Sequence, residues 1–249
     1  MGKVDFDFSA ECYVVTGASS GMGREVAAEL AASGAKVLAI ARNNERLENL
    51  KAEYPKNIIT AALDVTDSDK LEQAIADFVL VNGKLSGAVH AAGINSFTPL
   101  KSYKKSLAER IMATSFWAGI ELTRLVTRAK YGKRGTSTVL FSSVCACSSE
   151  KGMFAYAAAK SAVNGAIGSI AKEIAIKEHR INSIMPGWVE SSAMTDNIGG
   201  LIDQEDFKKK HLLGLANPSD VVGMVLFLLS SRARWITGTS VVVDGGFLA

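Results

Sequence analysis

A chain of 249 residues, 48% hydrophobic and 21% charged, has room for one large α/β domain and is too ordinary in composition to be fibrous or disordered. Its formal charge of +3 is spread along the chain, which argues against nucleic-acid binding, a function that needs a clustered basic face. Three cysteines, Cys12, Cys145 and Cys147, fit a reducing compartment rather than a disulfide framework.

The N-terminus carries Asp5 and Asp7 where a signal peptide would be apolar, so export is not expected. No apolar run approaches a bilayer span, Val221 to Leu229 being far too short. The expectation is a soluble, cytoplasmic protein without membrane contact. The tight basic run Lys208-Lys209-Lys210 reads as solvated helix surface. Cys145-x-Cys147 lacks the two-residue spacer of common metal and redox motifs, so the thiols are read as structural and no metal site is expected.

In chain order, Cys12 to Thr16 reads as a strand buried on both faces. It runs into Gly17-Ala18-Ser19-Ser20-Gly21-Met22-Gly23, and from Arg24 to Ala32 the apolar period becomes helical. Ser33-Gly34 ends that helix, and Lys36 to Ala41 is a second strand. The alternation continues: helix Arg46–Glu53, strand Asn57–Leu63, helix Ser68–Val81, strand Leu85–His90, a long helix Leu107–Tyr131 and strand Ser137–Ser142. Then come helix Tyr156–Glu178, strand Arg180–Met185 cut at Pro186-Gly187, helix Asp220–Leu229 and strand Ser240–Val243. Such alternation implies one doubly wound Rossmann domain over residues 1–249, a seven-stranded parallel sheet with helices on both faces. Its functional loops fall at the carboxyl edge of the sheet. The aperiodic stretch 188–217 is an excursion from that body.

The glycine turn between the first strand and helix suits a pyrophosphate, because glycines allow close approach and a helix N-terminus supplies N–H donors. An ordinary βα turn is the alternative. Asp64-Val65 ends the third strand where an adenine could lie. After the second strand stands Ala41-Arg42, with no acid for a ribose 2′-hydroxyl and a guanidinium suited to a 2′-phosphate. NADP(H) is therefore expected over NAD(H), the alternative being a surface arginine.

Between Val139 and Lys160 the chain holds Ser143, Tyr156 and Lys160. Tyr156 and Lys160, at i and i+4, share one helical face. A phenol, an ammonium and a hydroxyl from the neighbouring strand make a proton-transfer site that needs a cofactor as oxidant or reductant. A free phenol ionises near 10, so a nearby ammonium has to make the phenolate accessible.

With Thr16-Gly17-x-x-x-Gly21-x-Gly23, Asp64-Val65, Ser143, Tyr156-x-x-x-Lys160, Pro186-Gly187 and Asp244-Gly245-Gly246 in order, the chain resembles the short-chain dehydrogenase/reductase family. The resemblance covers nearly its whole length and is greatest to β-ketoacyl-(acyl-carrier-protein) reductases. It implies that Tyr156 is the general acid or base, that Lys160 also holds the nicotinamide ribose, and that Ser143 holds the substrate oxygen. It implies further cofactor contacts from Ser19, Ser20, Met22, Ala91, Ala92, Gly93, Pro186, Gly187, Val189 and Ser191. Two places depart from the family pattern. Ser115 stands where an asparagine usually completes a proton relay, and His90-Ala91-Ala92-Gly93 replaces Asn-Asn-Ala-Gly. His90 is read as packed and hydrogen-bonded rather than catalytic.

The resemblance implies an NADPH-dependent ketone reductase or alcohol dehydrogenase. A sugar or polyol ketoreductase is the enzymatic alternative, and an NADP-binding scaffold or sensor the alternative of another class. Trp188, Met194, Ile198, Leu201, Ile202 and Phe207 form an apolar cover over the substrate or pack onto the body, with Gly199-Gly200 between them. If the substrate rides on an acidic carrier, Lys133, Arg134 and Lys177 are candidate docking residues, although isolated surface charge is the commoner explanation. Family analogy also suggests a homotetramer or a dimer, with the two long helices and the C-terminal Gly246–Ala249 as candidate contacts.

Overall fold

The computed structural model describes residues 4–190 and 209–249. Seven strands form one parallel sheet in the order β3-β2-β1-β4-β5-β6-β7. They are β1 Cys12–Thr16, β2 Lys36–Ala41, β3 Ile58–Ala62, β4 Leu85–His90, β5 Gly132–Phe141, β6 Arg180–Pro186 and β7 Ser240–Val243. The described helices are α1 Gly21–Ala32, α2 Asn44–Glu53, α3 Ser68–Asn82, α4 Lys105–Met112, α5 Ala118–Val126, α6 Phe154–Ile174 and α7 Pro218–Leu229.

Successive strand residues point to opposite faces, so the apolar strands feed two cores. Val15, Val37 and Ala39 pack with Val26 and Leu30 of α1 and Val225 of α7. Val14, Leu38 and Ile40 pack on the other face with Leu71 and Ile75 of α3 and Leu122 of α5. Val163 and Ile167 of α6 extend that second face over Leu140 and Ile181. No helix among the described residues is long and apolar enough to cross a membrane.

Most element boundaries follow the sequence pattern; two differ for identifiable reasons. The expected long helix Leu107–Tyr131 is interrupted by a π turn at Ala113–Trp117 and ends at Val126. Gly119 in α5 packs so closely on His90 that a Cβ would lie 2.9 Å from its ring. Beyond Val126 the chain turns so that fully buried Tyr131 can donate to Glu72 at 2.7 Å. Strand β5 begins five residues before the expected Ser137, because polar Lys133-Arg134 sits on an exposed stretch of ladder that hydrophobic pattern does not mark.

The excursion is closed at its base. Val189 and Ala216 form a parallel bridge, with Glu190 N–H donating to Ala216 O at 2.8 Å and Ala216 N–H to Trp188 O at 3.1 Å. Ser191, Met194, Ile198, Gly199, Gly200, Leu201, Ile202, Phe207 and Lys208 lie outside the described residues.

Candidate active site

One cleft runs along the carboxyl edge of the sheet, over the point where β1 and β4 lie side by side and the chain winds away in both directions. The loops following β1, β2, β3, β4 and β5 all line it. It brings together Gly17, Ser19, Ser20, Gly21, Met22, Gly23, Arg42, Asp64, Val65, Ala91, Ala92, Gly93, Tyr156 and Lys160, as expected from the sequence.

At one end the chain leaves β1 through Gly17 at φ +72°, where a Cβ would lie 2.7 Å from Ala92 N. Both the left-handed backbone and the close approach of the β4 loop therefore require glycine. Helix α1 starts at Gly21 with no side-chain cap on Ser20 and no acid in its first turn. Its N–H groups and positive dipole end are left for an anion, so these residues fit a dinucleotide pyrophosphate. Arg42 is exposed beyond β2. The Asp64 carboxylate accepts from Thr66 N at 3.0 Å and Thr66 Oγ1 at 2.8 Å. These bonds hold its ionisation below the usual range, and the charges of Arg42 and Arg110 add to the effect.

At the other end, Tyr156 and Lys160 project from the first turns of α6, Tyr156 8% and Lys160 4% exposed. Lys160 Nζ lies 5.5 Å from the Tyr156 ring centroid and donates to Phe141 O at 2.6 Å. Ser142 Oγ donates to Lys160 O at 3.0 Å, fastening this turn of α6 to the end of β5. Ser143, also 8% exposed, opens a 3-10 turn in which its Oγ accepts from Cys145 N at 3.2 Å.

Burial controls the charges here. It lowers Lys160 to about 8, although the nearby Cys145 thiol opposes the shift. Tyr156 is pushed well up, first by burial and then by Cys145, while the Ser143 hydroxyl pulls it back. Loss of water around the ring thus sets the direction of the shift, against the expectation that Lys160 would lower the phenol. At neutral pH Tyr156 carries its proton, which is the form that donates to a carbonyl oxygen.

The two departures from the family pattern are structurally resolved. Ser115 is fully buried in the π turn, where its Oγ accepts from Ile94 N at 3.4 Å. A Cβ on Gly93 would lie 3.4 Å from that oxygen and 3.6 Å from Lys160 Nζ, so Ser115 and Lys160 both face the Cα of Gly93. His90 is 1% exposed, with Nδ1 2.8 Å from Thr16 Oγ1 and Nε2 2.9 Å from Thr114 O. Burial, reinforced by the Lys160 charge, lowers it to about 4. It is a neutral ring that ties β1 to β4 and the π turn.

Pro186, Gly187 and Val189 do not line this cleft. Gly187 packs against Asp244 and His211, and Val189 is buried at the base of the excursion. Several cleft residues are absent from the sequence reading. Leu63 follows β3 directly and Phe141 ends β5, a signal that topology alone could supply. Phe141 acts through a carbonyl, to which side-chain identity gives no clue. Asn95 lines the cleft with a side-chain oxygen that is buried and has no hydrogen-bond partner. Cys145, read as structural, packs with Phe97, Met153 and Trp188 around Tyr156.

The candidate docking cations are displaced. Lys133 and Arg134 open β5, whose opposite end carries Phe141 at the cleft. Eight residues of extended chain from Lys133 to Phe141 span roughly 25 Å. Lys133 is paired with Glu11 at 2.9 Å and Arg134 with Glu178 at 2.7 Å. Lys177 follows the far end of the 21-residue α6. None of the three stands beside the site.

A parallel doubly wound sheet with a glycine cradle and a buried phenol–ammonium pair at its carboxyl edge defines a nicotinamide-dependent oxidoreductase. The family model described as enoyl-(acyl carrier protein) reductase matches residues 17–248. A 3-oxoacyl-(acyl-carrier-protein) reductase of Thermotoga maritima is 28% identical over 238 residues, 94% of this chain and 96% of that protein. An L-xylulose reductase of Caenorhabditis elegans is 30% identical over 249 residues, 98% of each chain. Among solved structures, a short-chain dehydrogenase/reductase titled glucose/ribitol dehydrogenase, from Brucella melitensis, matches with a TM-score of 0.91. It is 25% identical, with 98% of this chain and 99% of that one covered. The chain belongs to the short-chain dehydrogenase/reductase family, oxidoreductases acting on CH–OH groups.

Proposed function

We propose that the protein is an NADP(H)-dependent carbonyl reductase and alcohol dehydrogenase, with a 3-oxoacyl thioester as the first substrate to consider. The observation that carries this reading is the protonated, buried Tyr156 with Lys160 beside it, in the same cleft as an uncapped helix N-terminus behind a glycine turn.

The turn Gly17–Gly23 would hold the pyrophosphate, Asp64 and Val65 the adenine side, and Arg42 a 2′-phosphate. Ala91, Ala92, Gly93 and Lys160 would border the nicotinamide ribose; the cofactor contacts expected of Pro186, Gly187, Val189 and Ser191 rest on the family resemblance alone. The bound nicotinamide supplies or accepts the hydride. Ser143 Oγ would donate to the substrate oxygen, and Tyr156 would pass its proton to that oxygen as charge develops there. Lys160 would stabilise the resulting phenolate, which is the base in the oxidative direction. Ser115, buried behind Gly93 with its Oγ on Ile94 N, would stand in for the family's relay asparagine. The chain would work as one catalytic unit over residues 1–249. The family resemblance carries the further expectations of cytoplasmic residence and a homotetramer or dimer.

A sugar or polyol ketone is the second reading, supported by likeness to the L-xylulose reductase. A scaffold that binds NADP(H) with little turnover is the alternative of another class, motivated by Ser115 and His90. Steady-state assays of simple ketones, sugars, 3-oxoacyl thioesters and an enoyl thioester, with NADPH and NADH, separate these readings. Tyr156→Phe should lower turnover by about 100-fold or more, the scale of general acid–base catalysis, while NADPH binding stays nearly intact. Turnover retained by that variant removes Tyr156 from its assigned role. NADH held as tightly as NADPH removes Arg42 from its own.

A further inference from the structure

The apolar wall beside Tyr156, formed by Phe97, Cys145, Met153 and Trp188, is fastened differently on its two sides. On one side a clasp between loops holds Phe97. Thr98 N donates to Gly152 O at 2.6 Å, and the Phe97 ring lies over Gly152 where a side chain would otherwise stand. On the other side Trp188 follows β6, and a histidine from the far end of the excursion reaches back to it: Trp188 N donates to His211 Nε2 at 3.0 Å.

That bond fixes the state of the ring, since an accepting Nε2 carries no proton. His211 is 4% exposed and lies against Phe247, with ring centroids 4.9 Å apart. Phe247 belongs to the segment after β7, which is wound about the Asp244 carboxylate. Oδ1 accepts from Gly246 N and Oδ2 from Leu248 N, both at 2.9 Å. Leu213 N donates to Gly245 O at 3.0 Å, tying this segment to the stretch that carries the histidine. Gly187 completes the arrangement. Its backbone is not left-handed, but a Cβ there would lie 2.9 Å from both His211 Nε2 and Asp244 Cα. Glycine before Trp188 is what lets the imidazole reach the main chain.

We propose that His211 is a positioning residue for the reaction: it accepts from the Trp188 main chain, is braced by Phe247, and thereby sets the Trp188 ring against Tyr156. Neither His211 nor Phe247 lines the cleft, so both act through Trp188. A main-chain N–H that loses its acceptor costs free energy, and without His211 the residue must shift to find another. The inference rests on the carbonyl reductase reading, in which Tyr156 is the reacting group and the wall beside it receives the substrate.

His211→Leu removes the acceptor and keeps an apolar contact for Phe247, whereas His211→Gln can place an amide oxygen where Nε2 stood. With ethyl acetoacetate and NADPH, His211→Leu should raise KM for the ketone by about five- to tenfold, the scale of one lost hydrogen-bond acceptor, with kcat nearly unchanged. The dissociation constant of NADPH should stay within about twofold, as for an independent site. His211→Gln should recover most of the loss, and Phe247→Ala should move KM the same way by a smaller factor. An equal loss of NADPH affinity, or no rescue by glutamine, overturns the assignment, because a general disturbance of the fold would produce either.

Trp188 is read directly by fluorescence in the background Trp117→Phe, Trp235→Phe, which replaces the other two of the three tryptophans, both exposed. Its emission should shift to the red and its quenching by acrylamide should rise in His211→Leu, and both should return towards wild type in His211→Gln. This measurement needs no turnover. A loosened Trp188 in a protein that reduces no ketone sustains the positioning contact and removes the reductase reading. A Trp188 unmoved in His211→Leu overturns the positioning role whatever the activity, and one unmoved in Phe247→Ala overturns the part given to the segment after β7.

Discussion

The two edges of the sheet are built from the same strands and use polar groups in opposite ways. At the amino edge most are spent on one another, the buried Nε2 of His179 being an exception. Lys133 pairs with Glu11, Glu11 also takes the Ser86 hydroxyl, and Arg134 pairs with Glu178. Arg180, at the start of β6, donates to the carbonyls of Leu228 at 2.8 Å and Ser230 at 3.2 Å, closing the C-terminal end of α7. At the carboxyl edge the helix N-terminus is uncapped, an Asn95 oxygen is unpaired, and an ammonium and a phenol are buried against their charged forms. One edge lowers the free energy of the fold, and the other retains unsatisfied groups that binding can use.

This contrast predicts how far a substitution at each edge separates activity from stability. Gly17→Ala should strain the backbone most, since it asks an alanine to adopt φ +72° with its Cβ 2.7 Å from Ala92 N. The strain is worth roughly 1–3 kcal/mol. Displacing the β4 loop should weaken NADPH binding by about 100-fold on the usual free-energy scale, read by fluorescence titration.

Lys160→Met should abolish activity and yet stabilise the fold at neutral pH. Burial lowers the folded lysine from 10.5 to about 8, so the cost of the buried charge is fully present below pH 8. As pH rises from 8 towards 10.5 the folded state gives up its proton first, and that cost is relieved. The shift corresponds to about 3 kcal/mol, against which the lost bond to Phe141 O counts about 1 kcal/mol. Urea unfolding should therefore find the variant about 2 kcal/mol more stable at pH 7, with the gain shrinking by pH 10. An equal or lower stability at pH 7 would mean that Lys160 is not held against its charge.

The smallest effect is expected at the other edge. Lys133→Ala and Arg134→Ala break substantially exposed pairs, each worth about 0–1 kcal/mol. The unfolding midpoint should barely move, and kcat/KM should be unchanged for small and carrier-bound substrates alike. A selective loss on the carrier substrate would return docking to this edge.

Much of this was legible in the sequence, because strand, glycine turn and helix each have a local signature. The largely apolar runs Cys12–Thr16 and Lys36–Ala41 and the alanine-rich start of α6 led directly to the sheet, the glycine turn and the helix that carries Tyr156 and Lys160. Less legible features depend on partners distant in the chain. The π turn answers to Ile94 and the pocket behind Gly93, neither of which appears in the local period of residues 105–126. The Lys160 partner is a main-chain carbonyl. The direction of the Tyr156 shift depends on how completely water is excluded, and helical spacing to Lys160 says nothing about that. Lys133 and Arg134 were misplaced as docking candidates because a basic pair looks the same at either end of a strand.

The Phe97–Gly152 contact also bears on how the substrate cleft can change. Gly152, at φ +83°, has its Cβ direction filled by the Phe97 ring, so any side chain there meets the ring before it meets solvent. A lineage that widens this wall must therefore shrink residue 97 first and only then gain a side chain at 152. The reverse order passes through a strained intermediate, so historical contingency is built into one glycine.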